Sequence, residues 1–285
     1  MNRANVNRLK DRIFEYVGIF ASIFGIVILA IFIGFVIYMG FERLSWDFIV
    51  QLPSRFAEES GIYTAWMGTV WIMVFTTLIS FPVGVGAGIY LEEYTKANWW
   101  NSFLEINISN LASVPSIIYG LLGLGVFVRM MQMGNSILAG SLTLALLILP
   151  IIIVSTREAI RAVPSTIRDA SNALGASKWQ TIWHQVLPAS FGGILTGVIL
   201  ALSRAIGETA PLIVVGALVY VPFAPQNPLD EFTVLPVQIY NWVSRPQEEF
   251  IINAAAAIIV LLGITFIMNG IAVYLRNKWQ SKMKW

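Results

Sequence analysis

Two charged residues stand where charge is most expensive. Arg204 and Glu208, in the run SRAIGETAPL, lie within a hydrophobic stretch of membrane-spanning length. A charge at mid-bilayer costs at least ~2.5–3.5 kcal/mol on insertion scales, so it must face protein or water. At i and i+4 the two side chains share one helical face and can pair. Counted from Phe191, Arg204 lies about 20 Å into the span at ~1.5 Å per residue, at or slightly past the midplane. The planar fork of an arginine suits an oxyanion, because it makes two parallel charge-assisted hydrogen bonds. Glu208 could hold the guanidinium ready and be relieved when an anion arrives. A protonated phosphate could also donate to that carboxylate, whereas fully ionised sulfate cannot. Ser203 and Thr209 complete the candidate pathway set. The competing reading is a structural ion pair that neutralises itself inside a helix bundle.

A second cluster is polar. Residues 157–188 separate two hydrophobic spans and contain DASNALGASKWQTIWHQVLP, too polar for lipid and too patterned for a slack loop. The spacing predicts two short helices and a hinge. Ser165 is placed to cap the first, with Ile167, Ala170 and Leu174 on one face. Gly175 tolerates positive φ and can stop it. Ser177 with Gln180 forms a capping box for the second. Its apolar stripe is Trp179, Ile182, Trp183, Val186 and Leu187, and Pro188 is expected to end it. An ordered polar hairpin beside a membrane suits a docked partner. An interfacial hairpin anchored by its two tryptophans is the alternative.

These residues need helices to hold them. The chain is 285 residues, 57% hydrophobic and 12% charged, a composition that belongs in lipid. Six segments could cross a ~30 Å core: residues 13–39, 65–89, 108–128, 137–155, 191–221 and 250–275. The fifth is too long for one straight span. Pro211 removes a donor and displaces the Gly207 carbonyl, so the helix should bend or break at G-E-T-A-P. Broken helices at the midplane recur at transport sites. Pro115 in SVPSIIYG should break the third span. Gly84, Gly86, Gly88, Gly120, Gly123 and Gly125 read as close helix contacts.

Charge placement sets the topology. Of 18 Lys and Arg residues, 13 fall on one side if both termini are cytoplasmic, including Arg3, Arg8, Lys10, Arg12, Lys96, Lys282 and Lys284. The division expected is a tail, first helix and outer loop over 1–63, a membrane block over 64–275, and a basic tail over 276–285. The first span is too long for a cleaved leader and lacks an A-x-A site.

Several chemistries are excluded. There is no cysteine and a single histidine, His184, so no thiolate or histidine metal cluster is expected. No G-x-x-x-x-G-K-[ST] stretch occurs, so the chain is not an ATP-hydrolysing subunit. Glu92 and Glu93 read as solvated charges at a helix end. No nucleophile stands with a base. Neither catalytic residue nor cofactor is expected, and the chain is not read as an enzyme.

The polar hairpin resembles the EAA loop of ABC importer permeases. Asp169-Ala170-Ser171 matches E-A-A, followed by Gly175 and Leu187-Pro188, with Gln185 where the pattern has a hydrophobic residue. With SVPSIIYG, LTLALLILP and SRAIGETAPL, residues 64–275 resemble the permeases of bacterial phosphate importers, and ETAP favours the A-type subunit. The resemblance implies an all-α inner-membrane protein of six transmembrane helices with a five-helix type I importer core. It implies inward movement of inorganic phosphate, driven by ATP hydrolysed on a partner. The partners implied are a second permease (PstC-like), two ATP-binding subunits (PstB-like) and a periplasmic phosphate-binding protein. Asp169, Ala170, Ser171, Gly175, Leu187 and Pro188 would couple to the ATPase, while Arg204 and Glu208 would line the route. The acidic outer loops, with Glu58, Glu59, Glu248 and Glu249 among their residues, would meet the binding protein. Sulfate, molybdate or tungstate import, an ATP-independent carrier, and a scaffold for a sensor kinase are the rival functions.

Overall fold

Helices dominate because a chain in lipid must satisfy every backbone N–H and C=O internally. The computed structural model describes residues 3–95, 98–217 and 220–280. Among these, the only strand-like feature is an isolated bridge between Ser136 and Glu231. In chain order the helices are α1 (Arg3–Gly40), α2 (Trp46–Val50), α3 (Tyr63–Ile89), α4 (Trp99–Leu111), α5 (Ser116–Gly123) and α6 (Ile137–Arg161). Then come α7 (Ser165–Ala173), α8 (Lys178–Thr181), α9 (Leu187–Ala205), α10 (Ala210–Val215), α11 (Leu235–Val243) and α12 (Glu249–Gln280). Wider π-helical turns at Tyr90–Tyr94, Leu124–Met130 and Ile182–Val186 extend α3, α5 and α8. Lys96, Lys282 and Lys284, and with them residues 281–285 of the basic tail, lie outside the described residues, as do the side chains of Arg3 and Arg8.

Among the described residues, five continuous helical segments are long and apolar enough to cross a membrane, or six if the bent pair of α4 and residues 116–130 is one crossing. This is an all-α, multi-pass membrane protein. The break expected at Pro115 within 108–128 is present, as a sharp corner between two helices. Helix α4 and the stretch Ser116–Met130 meet at 100°. Pro115 cannot continue a helix and pushes the residue before it out of the α region. The Tyr119 hydroxyl then fixes the corner by donating to the Leu111 carbonyl at 2.8 Å.

The core is layered around α6. One cluster joins α3, α5, α6 and α9 through residues such as Tyr119, Ile148, Ile152, Ile194 and Ala201. A second lies at the end of the bundle opposite residues 157–188, where Phe48 and Ile62 pack on Leu235, Trp242 and Phe250. Arg43 ties that end together, donating from Nε to Asn253 Oδ1 at 2.8 Å and from Nη2 to the Glu58 carbonyl at 2.6 Å. Helix α1 stands largely apart along its length and meets α12 where Gly40 abuts the backbone of Ala255 and Ala256.

The glycines divide. Gly84 faces Ile152, Gly88 faces Thr156, Gly120 faces Pro211 and Gly123 faces Thr143, as close packing requires. Gly86 and Gly125 face open space, contrary to expectation. A β-carbon on Gly120 would lie 2.8 Å from Pro211 Cα, against backbone that cannot swing aside. Gly120→Ala should therefore lower the melting temperature of the purified permease by about 5 °C, from ~1–3 kcal/mol of overpacking. Gly125→Ala should leave it unchanged in the same thermal scan.

Candidate functional site

The fifth crossing ends where its sequence predicts. Helix α9 stops at Ala205, residues 206–209 are non-α, and α10 restarts at Ala210 with Pro211 in its first turn. Gly216, at φ +111°, ends α10. The GETAP break packs against the third crossing, since Gly120 approaches Pro211 and Val214. SVPSIIYG and SRAIGETAPL thus pack against one another.

Arg204 sits on the last turn of α9. Its Nε contacts Glu208 Oε1 at 3.3 Å, with the Arg204 side chain 48% exposed and that of Glu208 18%. A bidentate arginine–carboxylate pair would show two contacts near ~2.7–2.9 Å. This single, longer contact leaves the terminal guanidinium nitrogens without a partner among the described residues. Such a pair can open toward an incoming anion.

Ser203 turns elsewhere. Its hydroxyl lies 2.7 Å from the Ile199 carbonyl and 2.8 Å from Asn269 Oδ1 on α12. One heptad inward on both helices, Arg276 Nη1 donates to Thr196 Oγ1 at 3.2 Å. Two polar contacts therefore hold α9 to α12 in register beneath Arg204. Sequence reasoning misses Asn269, although an amide in the apolar middle of a long helix is itself a signal. Thr209 lies in the break, its hydroxyl 3.4 Å from the Gly207 carbonyl.

The hairpin at the other end of α9 forms as two short helices about Gly175, whose φ is +82°. The capping box is present: Gln180 N donates to Ser177 Oγ at 3.3 Å and Ser177 N to Gln180 Oε1 at 2.8 Å. Two local expectations fail. Ser165 is the first residue of α7 and makes no side-chain cap, because Pro164 already has the fixed φ that starts the helix. Pro188 does not end the second helix either. The π-turn at Ile182–Val186 widens the spiral just before it, where a missing N–H and a bulky ring are tolerated. The result is one helical rod, Lys178–Ala205, of 28 residues. It runs from the hairpin to within one residue of the break.

Asp169, Ala170 and Gly175 are exposed, Ser171 is half-buried, and Leu187 and Pro188 are partly covered at the base of the rod. Ile182 and Val186 turn inward, while Trp179 and Trp183 stack on the outside with ring centroids 5.6 Å apart. Between the two helices lies a concavity of about 520 Å³, lined by Ile167, Ala170, Leu174, Ala176, Gln180 and His184 among others. His184 contacts the Gln180 carbonyl through Nδ1 at 3.0 Å.

Glu92 and Glu93 are not the solvated charges expected. Glu92 pairs with Arg157 at 3.4 Å and Arg161 at 3.0 Å, and Glu93 with Arg168 at 2.7 Å. Their side chains are 17% and 9% exposed. The partners are 65 to 75 positions away in the chain, so no local pattern reveals them.

Residues 80–281 match the family described as binding-protein-dependent transport system inner membrane component. The chain belongs to this family. It is an ABC importer permease, a transport component of the inner membrane rather than a catalytic subunit. Among its relatives is the probable ABC transporter permease protein YqgI of Bacillus subtilis, 33% identical over 280 residues, covering 93% of this chain and 94% of that protein. Another is the phosphate transport system permease protein PstA of Haemophilus influenzae, 36% identical over 224 residues and 78% of each chain. A bacterial ABC transporter involved in import of the acidic polysaccharide alginate has the same fold. It aligns at a TM-score of 0.69 with 14% identity, over 97% of this chain and 99% of that one. The importer-permease core expected from the EAA-like hairpin is therefore the fold observed.

Proposed function

We propose that this permease moves inorganic phosphate inward, driven by ATP hydrolysed on partner subunits that dock on the α7–α8 hairpin. The observation that carries the reading is the continuity of Lys178–Ala205, which joins that hairpin to Arg204 without a break. A push on the hairpin displaces the whole rod, and the break at residues 206–209 absorbs the motion next to Arg204 and Glu208. Phosphate is the anion proposed because the pair offers a donor fork beside a carboxylate, and monoprotonated phosphate can use both. The PstA relatives support the same choice. The assembly proposed contains a PstC-like second permease, two PstB-like ATP-binding subunits and a periplasmic phosphate-binding protein. Ser203 contributes by fixing the register of α9, and Thr209 by lying in the flexing segment.

Labelled phosphate uptake into liposomes carrying that assembly, with and without ATP and with sulfate in large excess, tests the reading. Uptake should need ATP and resist sulfate. Uptake that continues without ATP would remove the importer mechanism, and full competition by sulfate would remove selectivity for phosphate over other oxyanions.

A further inference from the structure

The charges on the same side of the bundle as the hairpin form a junction that neither the EAA-like motif nor the Arg204 site explains. Arg168, on α7, donates from Nε and Nη2 to Glu93 Oε1 at 3.0 and 2.7 Å. The same guanidinium donates from Nη1 to the Val163 carbonyl at 2.8 Å and from Nη2 to the Ile160 carbonyl at 3.1 Å. Those carbonyls lie in the last turn of α6 and just after it, where the helical ladder runs out and side-chain donors can add to it. One side chain thus joins the π-turn after α3, the end of α6, and α7. Beside it, Glu92 receives Arg161 through two contacts at 3.0 Å and Arg157 at 3.4 Å, and Arg157 also reaches Glu105 on α4 at 2.9 Å.

Within the hairpin, α7 meets α8 through Ser171 Oγ, 2.9 Å from Thr181 Oγ1, and through the Thr181 hydroxyl, 3.4 Å from Asn172 Oδ1. None of the α7 side chains is fully buried, and only Ile167 of its apolar residues packs on the cluster of Ile160, Val163 and Val186. Its firm attachment to the third and sixth helices is the Arg168 fork. A short helix held by four charge-assisted or carbonyl hydrogen bonds moves with whatever those bonds reach. We propose that Arg168 and Glu93 are positioning residues that link the hairpin to α3, so that a displacement of the hairpin reaches α3 as well as α9. The π-turn Tyr90–Tyr94 carries Glu92 and Glu93 together at the junction, and π-turns are common at working positions within helices. With α9 driven directly and α3 driven through Glu93, two of the helices that pack around α6 move as one.

This inference rests on the ATPase-coupled reading above and is tested in the same assembly. The readout is the amount of ATP hydrolysed per phosphate taken up, with subunit stoichiometry checked on the purified complex. Glu93→Gln keeps the shape and removes the ion pair. It should raise ATP used per phosphate by about fivefold, the low end of ordinary coupling between sites, while binding-protein-stimulated hydrolysis persists. Glu93→Asp keeps a carboxylate for the Arg168 fork and should hold the ratio nearer wild type. A wild-type ratio in Glu93→Gln would overturn the proposal, as would a ratio in Glu93→Asp as high as in Glu93→Gln. So would uptake and hydrolysis falling in proportion in Glu93→Gln, which marks a fold contact only. If wild-type protein itself shows no ATP dependence, it is the proposed function that fails.

Discussion

Arg204→Ala should reduce phosphate uptake by about 30-fold or more, with the complex still assembled. The figure corresponds to ~2 kcal/mol, within the usual range for a hydrogen bond to a charged group. Assembly should survive because the side chain is 48% exposed and holds its one partner through a single 3.3 Å contact. Little of the bundle depends on it. Glu208 would be left with no cation in contact, and its negative charge would repel the anion, so the loss should exceed that of the double change Arg204→Ala with Glu208→Gln. Arg204→Lys separates charge from geometry: an ammonium supplies the charge without the parallel fork. Intermediate uptake in Arg204→Lys, measured with the same liposomes, supports bidentate recognition. Full uptake in Arg204→Lys would reduce Arg204 to a point charge, and full uptake in Arg204→Ala would make it a packing residue.

The exposure of Arg204 also bears on the alternative of a self-neutralising structural pair. Such a pair would be buried and doubly bonded, because burial without full hydrogen bonding is costly. The observed geometry is open and singly bonded. Arg168 and Glu93 show the other type: side-chain exposures of 23% and 9%, several short contacts, and two helix ends joined. One chain therefore carries an open, singly bonded ion pair and a covered, multiply bonded one.

What the sequence reveals follows the range of the interaction. The break at GETAP, the turn at Gly175 and the Ser177–Gln180 capping box depend on neighbours within a few positions, and each is legible. The corner before Ser116 was half legible: Pro115 signals a break, but the 100° angle depends on Tyr119 reaching back to Leu111. Pro188 misleads because proline rules assume a regular α-helix, and the π-turn before it is set by packing of Ile182 and Val186 inward. Glu92 and Glu93 are opaque for a different reason. Their partners come from distant helices, so their state depends on the tertiary arrangement that the one-dimensional pattern does not contain.

The rod from the hairpin to Arg204 matters only if force enters at the hairpin, and Leu174 offers the sharpest check. It is 90% exposed, directly after α7, and lines the concavity with Ile167, Ala170 and Ala176. An apolar side chain so exposed, in a hollow of about 520 Å³, fits a partner surface that covers it. Leu174→Asp would place a carboxylate where that surface must desolvate it. The affinity of the ATP-binding subunit should fall by about 100-fold, equivalent to ~3 kcal/mol for an unpaired polar group at an interface. Uptake should fall with it, while the permease alone keeps its thermal stability, since Leu174 supports nothing in the fold. The bilayer-anchored alternative predicts a different pattern. If the hairpin rests on lipid through its stacked tryptophans, Trp179→Asp with Trp183→Asp should release it and Leu174→Asp should do little. Pull-down of the ATP-binding subunit by each variant separates the two: loss confined to Leu174→Asp places the partner in the concavity, and loss confined to the tryptophan pair places the hairpin on the membrane.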